Sequence, residues 1–150
     1  DSQRLLEDTR LDLVAERAVA RAAARAPHVR LRADLAESLV HADPDAVERA
    51  VANLIDNAVK WSPPDGEVLV RVVRPGTLSV SDQGPGIAPE DLPHVFDRFY
   101  RAPAARSLPG SGLGLAIVRQ IAEAHGGAVT AEPLTPGTRF VLRLPAARED

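Results

Sequence analysis

The chain has 150 residues, 45% of them hydrophobic and 26% charged, which is enough to enclose one core of ordinary size and too little for two. A formal net charge of -3 supplies no global attraction to nucleic acid or to an anionic membrane, and the absence of cysteine excludes disulfides and thiol catalysis and fits a reducing compartment. No apolar run is long enough to span a bilayer and no signal-peptide pattern opens the chain, so we expect a soluble piece, one that starts mid-pattern at Asp1-Ser2-Gln3 as a fragment of a larger protein would.

Residues 5–25 carry Leu6, Leu13, Val14 and a run of alanines at helical spacing, ended by Ala26-Pro27; the first third reads as the end of an interdomain segment. Residues 29–35 alternate apolar and polar, as a half-exposed strand does. Asp43-Pro44 offers an N-cap followed by proline at the first helical position, and Ser62-Pro63-Pro64 stops the helix so begun. Residues 67–73 place Val68, Val70 and Val72 on one strand face, and Pro75-Gly76 turns the chain into a second strand over 77–82, a hairpin. Residues 101–112, rich in Pro, Ala, Arg, Ser and Gly without periodicity, read as a mobile loop. A helix follows over 113–125 with Ile117, Val118 and Ile121 as its apolar positions, closed by Gly126-Gly127. Strands over 128–132 and 138–144, joined at Pro136-Gly137, complete the chain.

On the helix from Pro44 to Trp61, a rotation of about 100° per residue gathers Val47, Val51, Leu54, Ile55 and Ala58 on a core side. Asn53, Asn57, Lys60 and Trp61 fall together on a second face. Asparagine is a mediocre helix former, so two of them four apart ask for a reason. One is that an amide oxygen completes an octahedral Mg²⁺ shell without adding negative charge beside phosphates, which makes Asn57 the candidate metal ligand. Lys60 can neutralise phosphate, and Trp61 can lay its ring on ribose or base. The plainer account is amides bonded to neighbouring backbone beside a snorkelling lysine.

Strand parity places Asp82 with Leu78 and Val80, aiming a carboxylate at apolar surroundings where it needs a donor. The exocyclic amine of adenine is such a donor, and Gly84 and Gly86 leave room for backbone to approach a purine. Alternatively, Asp82-Gln83-Gly84-Pro85-Gly86 is a turn whose aspartate caps its own backbone. Gly110-Ser111-Gly112-Leu113-Gly114-Leu115, before a helix, can present backbone N–H groups and a positive dipole end to phosphate, or can be a hinge.

The ordered set Asn53-x-x-x-Asn57-Ala58-x-Lys60-Trp61, Asp82-x-Gly84-x-Gly86-Ile87, Phe96-Asp97-Arg98-Phe99-Tyr100-Arg101 and Gly110-x-Gly112-Leu113-Gly114-Leu115 resembles the N, G1, F and G2 boxes of bacterial sensor histidine kinases, over residues 12–144. The resemblance implies a two-layer α/β sandwich of the Bergerat ATP-binding type, with a mixed, largely antiparallel sheet covered on one face by helices. The implied ligands are ATP and Mg²⁺. Asn57 would hold the metal, Asp82 would read adenine, Gly110, Gly112 and Gly114 would meet the phosphates, and Arg98 and Arg101 would lie near the γ-phosphate or the docking surface. Asn53, Lys60, Trp61, Gly84, Gly86, Ile87, Phe99, Leu113 and Leu115 complete the implied nucleotide site, and 101–112 corresponds to the ATP lid. The implied division is residues 1–11 as the end of an interdomain helix or linker, 12–146 as the catalytic domain and 147–150 as a tail.

Two departures stand out. Trp61 replaces the family's usual tyrosine or histidine, keeping an aromatic wall with a different polar handle. None of His28, His41, His94 and His125 sits in the acceptor context of His-Glu or His-Asp followed shortly by proline. His125, at a helix end, is expected to tolerate charge. The implied partners are therefore a dimerisation hairpin bearing the phosphoacceptor histidine and, through it, a response regulator. The implied setting is the cytoplasmic part of a membrane-anchored kinase, and the piece by itself is expected to be mostly monomeric. No general base is assigned within the chain. The other readings are a serine kinase of the anti-sigma-factor type, against which the F box speaks, and an ATP-binding regulatory module without transfer.

Overall fold

The computed structural model describes residues 6–98 and 113–147, so Phe99, Arg101, Gly110, Gly112 and the expected lid over 101–112 lie outside the described residues. In chain order the elements are β1 (Glu7–Arg10), α1 (Leu11–Arg25), β2 (Arg30–Leu35), β3 (Leu39–Ala42), α2 (Pro44–Trp61), β4 (Glu67–Val73), β5 (Thr77–Ser81), a 3-10 turn (Leu92–His94), α3 (Gly114–Ala124), β6 (Ala128–Pro133) and β7 (Thr138–Arg143). The main sheet has five strands in the order β2-β4-β5-β7-β6. β2 runs parallel to β4 and the other neighbours are antiparallel. The three helices share one hydrophobic core with the sheet, giving the expected two-layer sandwich.

The core follows from the periodicities. Val68, Val70 and Val72 of β4, Leu78 and Val80 of β5, and Phe140 and Leu142 of β7 are buried, and register sets Val70 beside Val80 and Val80 beside Phe140. Val47, Val51, Leu54, Ile55 and Ala58 of α2 are all buried, the face that the helical spacing selects. On α1 the buried apolar positions are Leu11, Val14, Ala15, Ala18 and Ala22, so the alanine-rich composition lets two helices pack closely. Asp43 caps α2 by accepting from the N–H groups of Asp45 and Ala46, with Pro44 at the start of the helix.

Two sequence expectations are corrected here. The helix expected from residue 5 begins only at Leu11. Residues Glu7–Arg10 instead form a strand that pairs antiparallel with Leu39–Ala42, another strand that the sequence reading passed over. These strands are four residues each, too short to show a period of two, and β1 joins the helix directly. A buried polar knot fixes the junction. The Leu11 N–H donates to Ser38 O, the Ser38 N–H donates to Asp12, and Arg10 makes a two-point ion pair with Asp12 at 2.7 and 3.0 Å. That pair holds the Asp12 carboxyl below its ordinary range, with the Arg10 hydrogen bond as the largest cause.

The second correction concerns His125. Its Nε2 accepts from the Asp43 backbone N–H at 3.1 Å and its Nδ1 lies 2.7 Å from Ile121 O, so the ring is buried and engaged at both nitrogens and is not an open helix end. The bond to Asp43 ties the end of α3 to the start of α2.

Candidate functional site

Asp82 follows β5 directly and is 3% exposed, on the face shared by Leu78 and Val80 as parity requires. Its N–H donates to Thr138 O at 3.0 Å, prolonging the β5–β7 ladder by one residue. Gly137 has φ +104°, and a Cβ there would collide with the Asp82 carbonyl, so the β6–β7 turn and the end of β5 lock together. Asp82 Oδ1 accepts from the Gly84 N–H at 2.8 Å, whereas Oδ2 makes no such bond among the described residues. Burial pushes the Asp82 carboxyl above its ordinary range, and the Gly84 and Thr138 backbones pull it back only in part. The turn-capping account of this aspartate is thus seen directly in the bond from Gly84, and its second oxygen makes no hydrogen bond among the described residues.

Asp82 lines a narrow cleft together with Asn57, Trp61, Gly86, Ile87, Thr138 and Phe140. Asn57 and Trp61 arrive from the last turns of α2, one helical turn apart. The Asn57 amide makes no hydrogen bond among the described residues, so its oxygen is available. Among those residues no group of three or more His, Cys, Asp or Glu side chains could hold a metal. A lone amide suits an ion that draws its remaining ligands from phosphate and water, the habit of Mg²⁺.

Asn53, a turn before Asn57, donates from Nδ2 to the carbonyl of Gly114 at 3.2 Å. The amide-to-backbone reading thus describes Asn53, and the bond sets the first residue of α3 beside the Asn57 face of α2. Among the described residues a Cβ at Gly114 would meet nothing within 4 Å and Leu113 supplies no side-chain cap, so within that set the start of α3 has room and the uncapped N–H groups that a helix N-terminus leaves. Leu113 and Leu115 are half-buried, and Leu115 packs against the core. Lys60 is exposed and lies outside the lining of the cleft.

The two glycines of the Asp82 turn divide in role. Gly86 has φ +83° and lines the cleft, as expected for a backbone that must turn beside a ligand. Gly84 differs: its Cβ would lie 2.6 Å from the Trp61 carbonyl, so the missing side chain makes room for the end of α2. Gln83 accepts from the Glu67 N–H at 3.0 Å and so ties the turn to β4. Phe96 is buried edge-on against Phe140, with ring centroids 5.9 Å apart and planes at 82°, which brings the chain leading to exposed Arg98 to the rear of the cleft.

Sequence reasoning missed Thr138, Phe140 and Gly137. The available signal was parity on the last strand, where Thr138, Phe140 and Leu142 alternate toward the core, but which of them faces a cleft depends on pairing with β5. Pro136-Gly137 read only as a turn.

Residues 42–148 match the family model described as histidine kinase-, DNA gyrase B- and HSP90-like ATPase. The chain is 51% identical over 115 residues to the signal transduction histidine-protein kinase/phosphatase MprB of Mycobacterium sp. strain KMS, a match covering 71% of this chain and 22% of that protein. With the protein of the same name from Mycolicibacterium smegmatis it shares 47% over 128 residues, 83% of this chain and 26% of that one. The chain thus spans about a quarter of the length of these curated relatives. Among solved structures, the mycobacterial sensor histidine kinase MprB superposes with a TM-score of 0.85 at 39% identity, covering 95% of this chain and 98% of that chain. The ATP-binding domain of PrrB from Mycobacterium tuberculosis gives a TM-score of 0.75 at 28% identity, over 95% and 98%.

Proposed function

We propose that this chain, which belongs to the histidine kinase-, DNA gyrase B- and HSP90-like ATPase family, binds Mg-ATP and donates the γ-phosphoryl group to a histidine on a separate dimerisation hairpin of a two-component sensor kinase. The observation that carries the reading is Asp82, a buried carboxylate with one oxygen that makes no hydrogen bond among the described residues, set in a cleft walled by Trp61, Ile87 and Phe140 and edged by Asn57, whose amide is likewise unbonded among them. The apolar walls suit a planar base, and the free acceptor suits its exocyclic amine. The rest of the chemistry is positioning.

When bound, Mg-ATP supplies the reactive phosphoryl group with its charge neutralised for in-line displacement. Asn57 would give the metal an oxygen. Asn53 holds the start of α3 so that its N–H groups, beside the open space at Gly114, meet the phosphates. Lys60, one turn beyond Asn57, adds a positive charge near them. The acceptor imidazole nitrogen bonds to phosphorus as the bond to the leaving ADP oxygen breaks, and any base that takes the histidine proton comes with the hairpin. His125 cannot be that acceptor, since both of its ring nitrogens are engaged in the fold. In this reading the phosphohistidine passes its group to a response regulator, and the domain sits on the cytoplasmic side of a membrane-anchored kinase. Among the described residues no helix is long and apolar enough to cross a membrane.

The test is incubation with γ-labelled ATP and Mg²⁺, with and without the histidine hairpin added as a separate polypeptide. Label on the hairpin alone, lost in acid as a P–N bond should be, is the expected result. Acid-stable phosphoserine on a protein partner would replace this reading with the serine-kinase one, and ATP binding without any transfer would reduce it to a binding module.

A further inference from the structure

We propose that Asp97 is a positioning residue for phosphoryl transfer, tying the segment that carries Phe96 and Arg98 to α3 through Arg119; this rests on the transfer function proposed above. Residues 92–98 hold little regular structure. Around the 3-10 turn Leu92–His94, their local backbone bonds include Leu92 N–H to Ala88 O at 3.2 Å, Val95 N–H to Leu92 O at 3.5 Å, His94 N–H to Asp91 O at 2.9 Å and Asp97 N–H to His94 O at 3.0 Å. A stretch so loosely laddered takes its place from its side chains. Phe96 provides one anchor, its ring edge-on against Phe140, which also lines the cleft. Val95, buried in the same core, shares that anchor, and together the two apolar side chains fix the depth of the segment.

Asp97 supplies the second point. Its Oδ1 lies 3.5 Å from Arg119 Nη1 on α3, and its Oδ2 lies 3.2 Å from His94 Nδ1 within its own turn. With both anchors in place, the residue before Arg98 is pinned to the helix whose first residue, Gly114, is itself held by Asn53. One helix then references both the Arg98 side and the phosphate side of the site. Stability is not the reason for the pair: its side chains are 39% and 47% exposed, a setting in which ion pairs contribute little. Geometry is the better reason, because transfer between separate domains is sensitive to displacements on the order of 1 Å.

The test uses the whole chain, ATP with Mg²⁺, and the histidine hairpin as acceptor, comparing wild type, Asp97→Arg, Arg119→Asp and the double swap. Each single variant should transfer about tenfold more slowly with the KM for ATP changed by less than about threefold, and the double swap, which restores the pair in reverse, should recover most of the rate. Urea unfolding of the same four proteins should move little. If wild type transfers and the single variants match it, or if the swap recovers nothing, the positioning role of Asp97 is overturned while the transfer function stands. A wild-type chain that transfers nothing overturns both.

Discussion

The backbone N–H of Asp43 donates to Nε2 of His125 at 3.1 Å, joining the residue that caps α2 to the residue that ends α3. At the other end of the same antiparallel pair, Asn53 donates to Gly114. Two bonds thus bracket the helices whose facing ends bear Asn57 and the start of α3. His125→Ala leaves the partly buried Asp43 N–H without its acceptor, and should lower unfolding free energy by about 1–3 kcal/mol. Urea denaturation reads this directly. Stability within a few tenths of wild type would show that the bond contributes nothing.

Asp82→Asn should separate binding from stability. Replacing the acceptor by an amide removes a charge-assisted bond to the base, so ATP affinity should fall by about 1.5–3 kcal/mol, roughly ten- to hundredfold in Kd. Trp61 is the chain's single tryptophan and lines the cleft, so its emission reports the titration without a label. Unchanged affinity removes Asp82 from base recognition.

The nucleotide-free domain should respond to the same change with the opposite sign. Burial raises the Asp82 carboxyl pKa on folding, so its contribution is fully present below the unfolded value and is lost as pH rises through the folded one. At neutral pH the native protein therefore bears the cost of a buried charge that asparagine lacks. Denaturation midpoints should be higher for Asp82→Asn than for wild type at pH 7, with the gap closing toward acid. A variant less stable at pH 7 contradicts this account.

Asp12 is shifted the other way. Its bond from Arg10 lowers the carboxyl pKa, so its contribution is present above the unfolded value and is lost as pH falls through the folded one. Asp12→Ala also strips the acceptor from the buried Ser38 N–H. A loss of about 1–3 kcal/mol at neutral pH is expected, shrinking as wild type is acidified. Parallel pH profiles for the two proteins would show that the carboxylate is not the source.

Asn57→Ala should spare the fold, since the amide makes no bond among the described residues, yet remove the Mg²⁺ dependence of nucleotide binding. The measurement is Trp61 emission during ATP titration with Mg²⁺ and with a chelator. A variant that still gains affinity on adding Mg²⁺ shows that the metal is held elsewhere.

Local chemistry made much of this molecule legible. Asp43-Pro44 announced α2, its 3.6-residue spacing chose Val47, Val51, Leu54, Ile55 and Ala58 for the core, and a period of two chose Val68, Val70, Val72, Leu78 and Val80 and turned Asp82 inward. These are signals between near neighbours in the chain, set by backbone geometry alone. Other features depended on contacts across long sequence separations. The pairing of β1 with β3 joins four-residue strands some thirty positions apart, too short to carry a period. Gly84 is required by a carbonyl of α2, Gly137 by one following β5, and Thr138 and Phe140 reach the cleft through the β5–β7 register. His125 finds the partner for its Nε2 in the N–H of the residue that caps another helix. Steric exclusion and hydrogen-bond satisfaction act between surfaces that only the folded chain brings together, so the sequence could mark these residues as turns or helix ends while tertiary packing alone gave them their partners.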